Sequence, residues 1–127
     1  MSYYIAKTVS GEFDDVIARV TDALKAEGFG VLTDIDVAAT MKKKLDVDFQ
    51  PYRILGACNP QMAYKALSIE DKIGVMLPCN VIVQQTDKGV EVAAVDPVAS
   101  IGRVGNPALD DAADAVKAML AKVIERV

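Results

Sequence analysis

Tyr52-Arg53-Ile54-Leu55-Gly56-Ala57-Cys58-Asn59-Pro60 carries two kinds of local order in nine residues. Aromatic and aliphatic side chains through 52–58 suit a β-strand, and Pro51 stands just before it, where a missing N–H is tolerated. Asn59 then offers a side chain that can cap a helix, and Pro60 fits the first helical position, where its absent N–H costs no hydrogen bond. A strand therefore passes directly into a helix, and Cys58 stands at the junction beside the helix N-terminus.

Working outward toward the C-terminus, Met62, Ala63, Ala66 and Leu67 recur at helical spacing. Asp71-Lys72-Ile73-Gly74 reads as a turn leading to residues 75–77 and, after Pro78, to the β-branched run Val81-Ile82-Val83. Asp87-Lys88-Gly89 separates that run from residues 90–95, the clearest hairpin signal in the chain. Asp96-Pro97 ends the strand, and the segment to Gly105 reads as a loop, with Gly102 and Gly105 hinging Arg103-Val104. Asn106-Pro107 repeats the cap and first-turn arrangement, and Leu109, Ala112, Ala113, Val116, Leu120, Val123, Ile124 and Val127 form one apolar stripe.

Toward the N-terminus, residues 3–9 alternate as a strand does, and an acidic first turn with Phe13, Val16, Ile17, Val20 and Leu24 predicts a helix ending at Gly28. Residues 31–37 resume a period of two, and Ala38, Met41 and Leu45 predict a short amphipathic helix whose three lysines, 42–44, form a solvated face. The order β-α-β-α-β-α-β-β-α predicts a single α+β domain over residues 1–127, with a largely antiparallel sheet and helices packed on one face. The other face is then solvated or paired, and pairing with a second copy makes a homodimer.

Bulk composition narrows the function classes. The chain has 127 residues, 52% of them hydrophobic and 25% charged, which fits one ordinary soluble domain. Its formal net charge of -4 disfavours nonspecific attraction to nucleic acid or to anionic membranes, so neither is expected as a partner. No secretory signal or membrane-length apolar run is visible, which gives a cytoplasmic expectation and reduced thiols. Histidine and tryptophan are absent, so the usual general base, proton shuttle and commonest metal ligand are missing. No metal and no cofactor are expected.

The quoted stretch, the following Ala63, Ala66 and Leu67, then Gly74, Leu77-Pro78-Cys79-Asn80-Val81 and Asp96-Pro97 together closely resemble the domain of unknown function 302 family over nearly the whole chain. The double Cys-Asn signature is more specific than a lone glycine motif. The resemblance implies a compact α+β domain of the TATA-binding-protein-like class, often homodimeric, and no catalytic residues. It does not imply DNA reading, because minor-groove readers need a basic concave sheet and apolar wedges.

The candidate ligand-binding residues are Cys58, Asn59, Cys79 and Asn80. If the strands carrying them are neighbours, both sulfurs reach one edge of the sheet, with the two amides as donors and acceptors. The simplest account makes the thiols small buried hydrophobes and the asparagines caps or turns. A small-ligand pocket, a redox thiol or a soft two-coordinate metal such as Cu(I) are the functional accounts. The 21-residue spacing is unlike a compact Cys-x-x-Cys, and a closed zinc site asks for four ligands. Cys58 is the better candidate for reactivity, because a helix start follows it. Asp34 and Asp36 read as solvated acids, and Asp96 as the start of a turn with Pro97. The expectation is a binding or interaction module with a small-ligand pocket at the two Cys-Asn motifs; the alternative is a thiol-dependent redox protein or enzyme, or a soft-metal binder, using Cys58 and Cys79.

Overall fold

The structure, a computed structural model, describes residues 2–127. Five strands form one antiparallel sheet: β1 (Tyr4–Val9), β2 (Gly30–Asp36), β3 (Tyr52–Cys58), β4 (Cys79–Thr86) and β5 (Gly89–Val95), in the spatial order β1-β5-β4-β3-β2. Four α-helices complete the expected order: α1 (Phe13–Ala26), α2 (Val37–Leu45), α3 (Pro60–Ile69) and α4 (Asp110–Arg126).

The apolar stripes anticipated for α1 and α4 form the main core. Val16, Val20 and Leu24 of α1 and Leu120 and Val123 of α4 are completely buried against Val81, Val83, Val90 and Val92 of the central hairpin. Alternation puts these four valines on one sheet face, so both helices lie on that side. The end of α1 is a Schellman motif: Phe29 N–H donates to the Leu24 carbonyl at 2.9 Å and Gly28 N–H to Lys25 at 3.1 Å. Gly28 adopts φ +84°, a conformation a side chain would strain, and Phe29 and Leu24 are both buried beside it.

A second, smaller core lies beyond the ends of β3 and β4, where Ala66, Ile73, Ile101, Leu109 and Ala113 pack together. It accounts for one departure from the sequence expectation. Residues 71–76 form a 3₁₀ helix, Asp71–Met76, instead of a turn and the start of an extended run at Val75. Coiling inserts Ile73 into the second core at 1% exposure, while Val75 is left outside at 83%; burying Ile73 outweighs the β preference of the valine. The loop after β5 likewise contains a 3₁₀ turn, Ile101–Arg103, because Ile101 belongs to that core. Asp96 Oδ1 accepts from Val98 N–H at 2.9 Å, making the expected turn, and Oδ2 pairs with Lys117 of α4 at 3.0 Å.

Helix α2 contains no fully buried residue. Asp36 caps it by accepting from Ala39 N–H at 2.9 Å, and Lys42 pairs with Asp46 at 3.1 Å in solvent. Asp34 is engaged by the Arg53 guanidinium, whose Nε lies 2.7 Å from its Oδ1, and this hydrogen bonding holds its carboxyl below the usual value. The sequence left Asp34 solvated because the β2–β3 register that brings Arg53 near is not local information.

β2 and β3 pair with a shift between Val31 and Thr33, so Leu32 is the extra residue of a β-bulge. At the centre of β3, Gly56 sits where other strands close in. A Cβ built there would lie 2.7 Å from Pro78 Cγ and would also run into the Thr33 hydroxyl. Gly56→Ala is therefore expected to destabilise the protein by about 1–3 kcal/mol through overpacking, measured as a lower urea midpoint at unchanged m value; an unchanged midpoint would show that the neighbours yield freely.

Candidate functional site

The β3–β4 register sets Ala57 opposite Cys79 and Gly56 opposite Asn80. Cys58 follows Ala57 at the end of β3, so both cysteines reach the same end of the two central strands. Asn59 caps α3 as anticipated: its Oδ1 accepts from Met62 N–H at 3.2 Å, and its Nδ2 has the thioether of Met119 at 3.8 Å. With one amide end fixed by the cap, the direction in which α3 leaves the sheet is fixed too.

Where α3 departs, the main core and the second core do not merge. Between them lies a cavity of about 320 Å³. Ala57, Cys79 and Val116 of the main core line it together with Ala66 and Ile101 of the second. Cys58, Asn59, Met62 and Ala63 form the wall toward α3, and Leu77 and Pro78 close the side below. Leu32 stands at the edge, where the bulge of β2 displaces it. The lining contains no charged and no aromatic side chain, and its side-chain polar groups are the Asn59 amide and the two thiols.

Three of the four sequence candidates thus share one cavity: Cys58, Asn59 and Cys79. Asn80 does not join them. One residue beyond Cys79 it points to the opposite face of the sheet, where it borders a shallow groove with Tyr4, Tyr52, Ile82 and Glu91. Strand alternation requires this separation, and it could have been deduced from the Cys-Asn dipeptide itself. Leu32, Leu77, Ile101 and Val116 were not singled out as site residues. No local pattern marks them, because they meet only through the packing of four separate elements.

Both cysteines are free. Cys79 is 6% exposed, and burial pushes its thiol up to about 11, with the neighbouring Cys58 adding a smaller contribution in the same direction. A thiol held in this way stays protonated at neutral pH, and the thiolate is the form that attacks disulfides and binds metals. Among the described residues no group of three or more His, Cys, Asp or Glu is placed to hold a metal ion. Nor is any helix among them long and apolar enough to cross a membrane.

Residues 5–127 match the family described as domain of unknown function DUF302. Among solved structures, the chain is similar to the crystal structure of an uncharacterized conserved DUF302 protein from Bacillus stearothermophilus. The identity is 31%, 99% of this chain and 98% of that chain are covered, and the TM-score is 0.92. No curated protein matches the chain.

The raised Cys79 value sets a sign for alkaline stability. Below the ordinary thiol value of about 9 both folded and unfolded states are protonated and the full stability is present; between about 9 and 11 the unfolded chain releases the proton first, so stability falls as pH rises. Cys79→Ala should flatten this alkaline slope relative to the parent, measured by urea unfolding between pH 8 and 10.5. A slope identical in the two proteins would assign the loss to other groups.

Proposed function

Given that the chain belongs to the DUF302 family, whose description carries no activity, we propose that it is a noncatalytic binding module of the cytoplasm that takes a small apolar ligand into the cavity between its two cores and works as a homodimer. The cavity carries this reading. At about 320 Å³ it lies at the small end of the ~300–1,000 Å³ typical of ligand sites. A sealed void of that size would cost on the order of 8 kcal/mol at ~24 cal/mol per Å³, as much as the whole stability of many domains. The gap is open to solvent instead, and a ligand that fills it would recover the missing contacts.

The wall chemistry selects for uncharged molecules. No lysine or arginine lines the cavity, so a carboxylate or phosphate placed inside would lose its hydration without compensation. The thiol of Cys79 supplies a weak donor and a soft, polarisable surface. In a reducing compartment both sulfurs remain thiols.

The uncovered face of the sheet supports the dimer. A water-facing antiparallel sheet normally alternates apolar inward with polar outward, yet this outer face carries Tyr4, Ile35, Tyr52, Ile54, Ile82 and Val95 in facing registers. On this face Gln84 Nε2 donates to Glu91 at 2.8 Å. Five strands ~4.8 Å apart, each ~20 Å long, offer a footprint of about 500 Å² before side-chain relief, on the scale of the ~800 Å² per partner that a standard interface buries. A second copy meets the same surface with itself, as two-fold symmetry requires.

Two experiments test these statements. The apolar fluorophore N-phenyl-1-naphthylamine should brighten and raise the melting temperature on binding, and Ala63→Phe, which fills the cavity from α3, should abolish both effects while leaving the fold intact. Binding that survives Ala63→Phe would place the ligand elsewhere and sink the cavity reading. Separately, the 13.6 kDa chain should sediment at twice its mass at micromolar concentration, and Ile82→Glu, which buries a charge in the interface, should give monomers. A parent protein that sediments as a monomer removes the dimer.

A further inference from the structure

Two exposed apolar side chains stand at the mouth of the cavity. Leu32 is 67% exposed on the bulge of β2 and Leu67 42% on α3. They do not stand apart from the cavity. Both also line it. Leu67 lies against the 3₁₀ helix, its Cδ2 3.9 Å from where a Gly74 Cβ would stand. Interior and rim are therefore one continuous apolar surface, while isolated exposed leucines elsewhere on a protein would require no explanation.

The shape of this surface restricts what can cover it. A compact molecule no larger than the cavity would leave the rim wet. A planar ring system can enter by apolar contact alone but finds no aromatic side chain to stack upon, since the lining is built from Ala, Leu, Ile, Val, Met, Cys, Gly, Pro and Asn59, so nothing in the walls prefers it. Aliphatic walls with an adaptable methionine, Met62, suit a flexible chain. A chain that enters by its end can also continue outward over the rim, with its polar terminus in water, so the absence of a cation inside is no obstacle.

We propose that the ligand of this site is a hydrocarbon tail, an unbranched alkyl or acyl chain, whose terminal carbons occupy the cavity and whose later methylenes lie across Leu32 and Leu67. This rests on the cavity-binding reading above and specifies the ligand class for it. The rim residues then set a preference for chain length, each added methylene that reaches them removing further apolar surface from water.

The test is a homologous series of straight-chain primary alcohols from butanol to decanol, with Kd measured by displacement of N-phenyl-1-naphthylamine. For the parent protein, affinity should rise about fourfold per added methylene, the factor for burying one CH₂, and should keep rising to the longest member. The double variant Leu32→Asp with Leu67→Asp changes the two exposed rim positions; its fold is checked by circular dichroism, and Leu32→Ala with Leu67→Ala provides a milder second pair. The loss of affinity relative to the parent should grow with chain length, at least tenfold larger for decanol than for butanol with the Asp pair and intermediate with the Ala pair. If the ratio of parent to variant affinity is the same for every chain length, the rim is not used and the tail proposal falls, while the cavity reading stands. If no alcohol of any length displaces the fluorophore, the cavity reading fails and the proposal with it.

Discussion

The pairing of β3 with β4 in the register that sets Ala57 against Cys79 is the constraint on which the remaining structure depends. It places Leu55 and Ala57 beside Val81 and Cys79 on the helix-covered face, which is the floor of the main core. It also brings the end of β3 and the start of β4 to one edge, so the 20 residues between them must fold as a unit beyond the sheet. That unit is α3 with the 3₁₀ helix, and it has its own small core with Ile101, Leu109 and Ala113. Gly56 is the condition for this pairing, since a side chain there would meet Pro78 and Thr33. A one-residue slip would turn Val81 and Val83 outward and expose the opposite set to the helices.

Two cores beside one sheet create both the strength and the gap. Helix α4 crosses both, giving Val116, Leu120 and Val123 to the first and Ala113 to the second. The Asp96–Lys117 pair, with the aspartate mostly buried, ties the end of β5 to the same helix. Helix α3 is held to the second core by Ala66 but is small-residue-rich on its sheet side, with Ala63 and Ala66 facing the cavity. Larger residues there would close the space between the cores. The cavity is thus a consequence of residue size along one helix, placed where two separately packed clusters adjoin.

Much of this was legible in local sequence. The strand at 52–58 and the cap at Asn59-Pro60 are found where the residues indicate them, because a cap, an N1 proline and a β-rich run are all short-range signals. The hairpin and the stripes of α1 and α4 follow for the same reason. The spatial order β1-β5-β4-β3-β2 was not legible, since the pairing of β1 with β5 joins residues 81 to 91 positions apart. The Leu32 bulge, the Asp34–Arg53 pair and the coiling of residues 71–76 share that origin: each answers to a neighbour distant in the chain. For the site, the two thiols and Asn59 were identified from their motif, and Asn80 was grouped with them although alternation turns it to the other face. The aliphatic walls carry no motif, so the chemical character of the cavity was invisible until the elements were assembled.

The apolar walls of the cavity also govern the thiols that line it. A reactive cysteine needs its thiolate stabilised by a cation, a metal, a helix N-terminus or water, and each of these sets a polar or charged group beside the sulfur. At Cys79 the opposite holds: apolar walls penalise the charge, and a neighbouring thiol adds to the penalty. Binding of a hydrocarbon and activation of this sulfur therefore pull the lining in opposite directions. The walls of alanine, leucine and isoleucine lie on the side of binding, where a protonated thiol is a compact, polarisable contact that fills space serine would make more polar and valine would fill with a bulkier, branched side chain.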